Sequence, residues 1–258
     1  MRIAPLALFL VLIAGAARAD DLRDFCAQRP GKATPACIVD VGRLQIETGL
    51  ADAVLQRGAG VRQDTYTLGA TELRLGVTKR VELEADWSPV VIDTVRGGAR
   101  RTGTSDANLA VLGALTDPDG KGVAVSAQGF VTLPTASHGL GAGGFAGGLR
   151  LPVTLAVGDA SVGLTPEVDI LRNAGGGGVH AAWTGVGSIS KAFGAVTFGA
   201  ELWGQVEDEP TGTIRRASAD LTAALMIGKT LQLDAGANFG LNHATPDAEV
   251  YIGIAHRF

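Results

Sequence analysis

Residues Val81 to Trp87 read VELEADW, with Val81, Leu83, Ala85 and Trp87 on one parity and Glu82, Glu84 and Asp86 on the other. An extended chain points successive side chains to opposite faces, so this segment has one apolar and one acidic face. The same alternation returns in run after run from Arg43 to Phe258, including Leu149, Leu151, Val153, Leu155 and Val157, and Leu231, Leu233, Ala235, Ala237, Phe239 and Leu241. A sheet of such strands must separate an apolar medium from a wetter one.

Turn signals divide the runs, and the connections alternate in length. Short ones fall at 78–80, 117–120, 158–159, 191–194 and 228–230, and longer ones at 56–64, 92–105, 135–144, 173–178, 207–214 and 242–247. Eleven connections imply twelve strands, expected at 43–55, 65–77, 81–91, 106–116, 122–134, 145–157, 160–172, 179–190, 195–206, 215–227, 231–241 and 248–258. An even number places both termini on the short-turn side.

Ahead of the strands, residues 1–19 read MRIAPLALFLVLIAGAARA: a charged Arg2, an apolar run from Leu6 to Ala14, and the small-residue site Ala17-Arg18-Ala19. This is the pattern of a cleaved export signal; the apolar run is short for a membrane anchor. No later run reaches 18 apolar residues, although 46% of the chain is hydrophobic. An exported, apolar chain without a spanning helix fits a closed barrel, the other structure that satisfies its backbone in lipid. The expected fold is therefore an all-β, twelve-stranded antiparallel transmembrane β-barrel with short periplasmic turns and longer external loops. The competing fold is a soluble β-sandwich with its acids in water.

With the apolar parity facing lipid, the candidate lumen-lining residues are Glu47, Glu72, Arg74, Glu82, Glu84, Asp86, Arg150, Glu167, Asp169, Glu201, Arg216, Asp220 and Asp234, joined by Glu249 and Arg257 on the last strand. Charge facing lipid is costly and charge facing a wet lumen is not. Eleven acids against four arginines would favour cations in an open lumen. Alternatively, Arg74, Arg150, Arg216 and Arg257 pair with acids and fill the interior, as side chains do in small barrels. Trp87, Trp183, Trp203, Tyr66 and Phe258 are candidate belt residues, with Trp203 on the inward parity.

The two cysteines, Cys26 and Cys37, sit in FCAQRPGKATPAC. In an oxidising compartment the pair reads as a disulfide, closing a small loop and contributing about 2 to 3 kcal/mol. The spacing does not suit a CxxC redox or metal pair. The chain thus divides into a signal peptide at 1–19, an N-terminal periplasmic segment with a disulfide loop at 20–42, and a barrel at 43–258.

Other chemistry is sparse. A net charge of -4 and the lack of a basic run argue against nucleic-acid binding. The glycine runs at 141–144 and 175–178 read as hairpin tips, with no strand-to-helix setting for a phosphate loop. No metal set stands out, and no cofactor is expected. His138, His180, His243 and His256 are scattered; Ser137-His138 lacks a third member, and a single inward His180 is more often a satisfied polar residue than a base.

Two resemblances add to this reading. The final EVYIGIAHRF, alternating and ending on Phe258, resembles the C-terminal signature of bacterial outer-membrane barrels, which implies recognition of Phe258 by the barrel-assembly machinery. The blocks FCAQRP-x-x-x-TPACIVDVGRLQIETGL, ELRLGVTKRVELEADWSP and GFVTLPTAS resemble those of an outer-membrane family of the phenol-degradation (MetA-pathway) type, with Ala136 where that family usually has Gly. The resemblance implies a small barrel in the outer membrane of a Gram-negative bacterium, in contact with lipid, passing small organic and often aromatic molecules. A non-conducting structural or adhesive barrel and an outer-membrane hydrolase are the alternative functions.

Overall fold

The computed structural model describes residues 22–58 and 61–258, so the export signal read at 1–19 lies outside the described residues. The chain forms twelve antiparallel spans: β1 (Leu44–Gly58), β2 (Val61–Leu68 and Ala70–Gly76), β3 (Val81–Trp87 and Val90–Val95), β4 (Arg100–Gly103 and Ala107–Ala114), β5 (Val123–Leu133), β6 (Ala146–Arg150 and Val153–Val157), β7 (Ala160–Arg172), β8 (Val179–Phe193), β9 (Val196–Glu207), β10 (Ile214–Ile227), β11 (Leu231–Gly240) and β12 (Ala248–Arg257). Each pairs with its sequence neighbours, and β12 pairs back onto β1 from Gln45↔Arg257 to Leu55↔Ala248, closing the ring. Closure leaves no open sheet edge. Phe258 completes the seam by donating its N–H to the carbonyl of Leu44 at 2.8 Å.

Side-chain polarity is inverted relative to a soluble domain. Leu202 is 64% exposed on the outer surface while Arg74, on the inner one, is 0% exposed. Leu83, Val111, Leu164, Ile189, Leu221 and Ile252 continue the outer apolar surface. A single closed ring with this polarity is a lipid-spanning barrel, and the β-sandwich expectation falls with it. A bulge between Gly49 and Ala51 changes the parity of β1, so that Glu47 below it and Asp52 above it both face inward.

The structure corrects two loop expectations. Residues 56–64 and 92–105 are mostly strand, since β1 to β4 continue past the expected ends and pair as Gln56↔Gln63, Thr65↔Asp93 and Asp93↔Arg101. Beyond the lipid, hydrogen bonding needs no apolar parity, so polar sequence extends a hairpin as readily as apolar sequence does. Three neighbouring spans break at one level, at Gly69 (φ 71°), at Ser88-Pro89 and at 104–106. The break is stitched by the Ser105 N–H to the Ser88 carbonyl (3.0 Å) and the Ser88 N–H to Ser105 Oγ (2.8 Å). Pro89 has no N–H for a ladder, and Gly69 takes up the left-handed turn beside it.

The second difference is larger. Residues 22–42, expected as a separate periplasmic segment, lie inside the ring as a strap without regular secondary structure. Ile38 packs with the inward Leu112 and Ala114 in a small apolar cluster. Val41 bridges to Gly76 at the short-turn end, and the Gly42 N–H reaches the Gly76 carbonyl at 2.7 Å.

Candidate functional site

The strap enters the lumen because the inner wall carries acids that need partners. Carboxylates buried without counter-charges or N–H donors would be far more costly than any other feature of the interior. Glu47 accepts from the backbone N–H groups of Gln28 (3.1 Å) and Arg29 (2.9 Å) and from Arg74 Nη1 (2.9 Å). Glu82 accepts from the Val39 N–H (2.6 Å) and Arg74 Nη2 (2.7 Å). Glu84 takes Gln28 Nε2 at 2.7 Å and also binds Gln128. Arg74 joins the set to the strap, donating to the Cys26 carbonyl at 2.7 Å and the Cys37 carbonyl at 3.5 Å. Cys26 and Cys37 are joined as a disulfide, with Cα atoms 6.3 Å apart.

The opposite wall holds the strap by fewer contacts. Arg29 Nη2 pairs with Asp234 at 3.0 Å, and Lys32 Nζ lies 3.2 Å from Asp220 and 2.8 Å from Ser218 Oγ. The Glu201 carboxylate accepts the backbone N–H groups of Lys32 (2.7 Å) and Ala33 (3.3 Å). Thr165 Oγ1 donates to the Thr34 carbonyl at 3.3 Å. At the short-turn rim, Arg257 pairs with Asp40 at 3.0 Å and Arg23 with Asp119 at 2.6 Å.

The thirteen inward residues read from the sequence therefore divide by partner. Glu47, Arg74, Glu82, Glu84, Glu201, Asp220 and Asp234 are engaged with the strap, or with Arg74 beneath it. Glu72, Asp86, Arg150, Glu167, Asp169 and Arg216 belong to the external half. There Arg150 Nε pairs with Glu167 at 2.7 Å and caps the Phe130 ring at 4.4 Å, Asn108 Nδ2 donates to Asp86 at 2.8 Å, and Arg216 pairs with Glu207. Glu72 stands between Glu47 and Asp86 in the cross-strand register and lines an open cavity. Trp203 faces inward as its parity requires, with Lys32 Nζ 5.0 Å from its ring centre.

Two cavities of about 380 Å³ each flank the strap and share Gln28, Arg29, Ala33 and Thr34 as walls. The lower one, toward the short turns, is bounded by small inward residues such as Gly163, Ser188, Ser190 and Gly199; the upper one by Glu72, Arg150, Glu167, Thr184, Trp203 and Gln205.

The strap residues are absent from the sequence expectation, whereas His180 faces inward and meets polar partners as expected. His180 is buried, with Nδ1 2.9 Å from Asn173 Oδ1, Nε2 3.1 Å from Glu207 Oε1, and Glu209 Oε2 3.7 Å from Nδ1. The Ala174 N–H donates to Glu209 at 3.1 Å, so the cluster ties the 173–178 loop to residues just after β9. Its hydrogen-bond partners include no hydroxyl or thiol. Ser137 Oγ, the hydroxyl beside His138, accepts the Thr104 N–H at 3.0 Å. Among the described residues no group of three or more His, Cys, Asp and Glu side chains is arranged to hold a metal.

A family model described as "Putative MetA-pathway of phenol degradation" matches residues 27–258, the strap from Ala27 onward together with every span of the ring. The chain belongs to that family. Among solved structures, the MetA-pathway barrel is similar to the NanC porin, at 10% identity over 83% of this chain and 98% of that one, with a TM-score of 0.53. It is also similar to the beta domain of the Bordetella autotransporter BrkA, at 14% identity over 85% and 100% of the two chains, with a TM-score of 0.52. At such identities the likeness is one of fold: this MetA-pathway chain is an outer-membrane β-barrel. Comparison with curated proteins finds no match.

Proposed function

We propose that this barrel is a passive pathway for small solutes across the outer membrane, with the N-terminal strap as its constriction. The observation that carries the reading is the pair of cavities, each about 380 Å³, on the two sides of residues Gln28 to Thr34. A barrel serving only as a scaffold has no need of space in its lumen, and a pocket of this size suits one small organic molecule. The family's phenol-degradation description agrees with a small organic solute. Strap cations and N–H groups engage the acids of the lower half, so a preference for cations resides in the upper one, where Glu72 and Asp86 stand side by side on adjoining spans.

In the same proposal, the outer apolar surface contacts lipid, the rim bearing both termini is periplasmic, and Phe258 is the handle for the assembly machinery. The test is single-channel current across a planar bilayer holding the refolded chain from Asp20, under a salt gradient, with folding checked by heat-dependent gel mobility. Steady conductance with a modest cation preference is expected. Silence from folded protein, together with no solute uptake into proteoliposomes, would overturn the pathway in favour of a non-conducting barrel.

A further inference from the structure

Resting on the pathway reading, we infer that the solute route runs along the β7–β9 wall, takes small uncharged polar solutes, and is barred by the hold of Glu201 and Thr165 on the strap. The strap is packed asymmetrically. Against β1–β5 its contacts are buried: Ala36, Ile38 and Val39 are almost without exposure, and Ser126 Oγ donates to the Ala36 carbonyl at 2.6 Å. Against β7–β9 the two cavities come within a step or two of each other along each strand. On β7 the inward residues pass from Gly163 below to Glu167 above across Thr165; on β8, from Ser188 to Val186; on β9, from Glu201 to Trp203.

What divides the cavities on this side is the strap backbone at Lys32 to Thr34, fixed by two N–H groups on the Glu201 carboxylate and one hydroxyl from Thr165, while the flexible Lys32 side chain reaches Asp220 and Ser218 and can keep that hold as the backbone shifts. Loss of these bonds lets that backbone move toward β1–β5 and joins the cavities. The nature of the wall sets the solute. Below the strap, β7 to β10 contribute mainly Ser, Thr and Gly, with Ala224 and Met226 on β10; the Glu201 carboxylate is occupied by the strap's own N–H groups, and the charged Asp24, Asp119 and Lys121 lie away from this wall, on the strap and the 117–121 turn. Hydroxyls replace water's hydrogen bonds to a neutral polar solute, whereas an ion finds no free counter-charge on this wall and crosses more slowly, so ionic conductance is small beside the uptake of neutral solutes.

The experiment is swelling of proteoliposomes carrying the full exported chain in a graded series of uncharged sugars and polyols. Glu201→Ala is expected to raise the rate about a hundredfold, because two strap N–H groups lose a charged acceptor and each such bond shifts an equilibrium by about tenfold. Thr165→Val is a second releasing variant, with a smaller rise. Ser188→Trp fills the route and is expected to abolish uptake, also when combined with Glu201→Ala, and Ser190→Trp does the same one step lower. Heat-dependent gel mobility verifies the fold of each variant. Wild-type uptake unchanged by the releasing and occluding variants would overturn the route while leaving the passive pathway intact. Absence of uptake in wild type and releasing variants alike would overturn both.

Discussion

Arg74 Nη1 lies 2.7 Å from the carbonyl oxygen of Cys26, so a guanidinium on the barrel wall holds the disulfide-closed strap by its main chain. The same side chain pairs with Glu47 and Glu82, each fully enclosed. Removing it leaves two buried carboxylates without their counter-charge, which costs about 3 to 5 kcal/mol. Arg74→Ala is therefore expected to lower the denaturant midpoint of the folded barrel markedly. Arg74→Lys keeps a charge but cannot reproduce the forked contacts, and should fall between the two.

The disulfide should act on the strap more than on the ring. With Cys26→Ser and Cys37→Ser combined, amide exchange at Gln28 to Thr34 is expected to accelerate while exchange in β7 to β12 stays unchanged. The ion pairs of Arg29 and Lys32 still tether the strap, so it loosens without leaving. In the wild type, neither thiol should react before reduction.

His180 joins external segments that strand pairing leaves free. Its replacement by Ala removes the contacts to Asn173 and Glu207. Limited proteolysis should then cut within 173–178 or 208–213, where the wild type resists. The barrel's own unfolding should shift by about 1 to 3 kcal/mol, since His180 is buried and two hydrogen bonds are lost with it.

The two faces of β9 should respond oppositely to charge. Leu202→Arg places a guanidinium in the outer apolar surface and should cost about 2 to 4 kcal/mol in folding into lipid vesicles. Gln205→Arg, on the inner face beside Thr184, should cost much less, as read by urea titration of vesicle-folded protein.

Phe258 separates assembly from stability. It is exposed on the seam, held by its backbone N–H and by an edge-on contact of its ring with His256 (centres 4.3 Å apart). Phe258→Ala should reduce the amount of barrel recovered from outer membranes of expressing cells while leaving refolding in detergent nearly unaffected.

Most of the ring was legible in the sequence because lipid enforces the alternation. Parity in VELEADW and in the runs through Leu155 and Leu233 carries the inside–outside pattern of the spans, but not Asp52, which the bulge after Gly49 turns inward against the parity of Glu47. Legibility ended where lipid ends: Gln63, Asp93 and Thr94 pair as strand residues, but no apolar medium imprints a pattern on them. The strap left a trace of a different kind. Eleven inward acids faced four inward arginines, while Arg23, Arg29 and Lys32 lay in the segment before β1. The imbalance by itself fits an open, cation-attracting lumen equally well, and it is the structure that brings the N-terminal cations to these acids. Which N–H met which carboxylate depends on the path of an irregular chain, and no periodicity encodes it.

The strap both enters and leaves at the short-turn rim, with Arg23 beside Asp119 and Asp40 beside Arg257. It is thus a loop inserted from one end rather than a thread passed through the ring. The strap, closed by Cys26 and Cys37, is joined to the wall by side chains and its own N–H groups, and no pairing among the twelve spans runs through it. The ring and its filling are thus two layers of one chain, and the wall stays closed whatever position the filling takes.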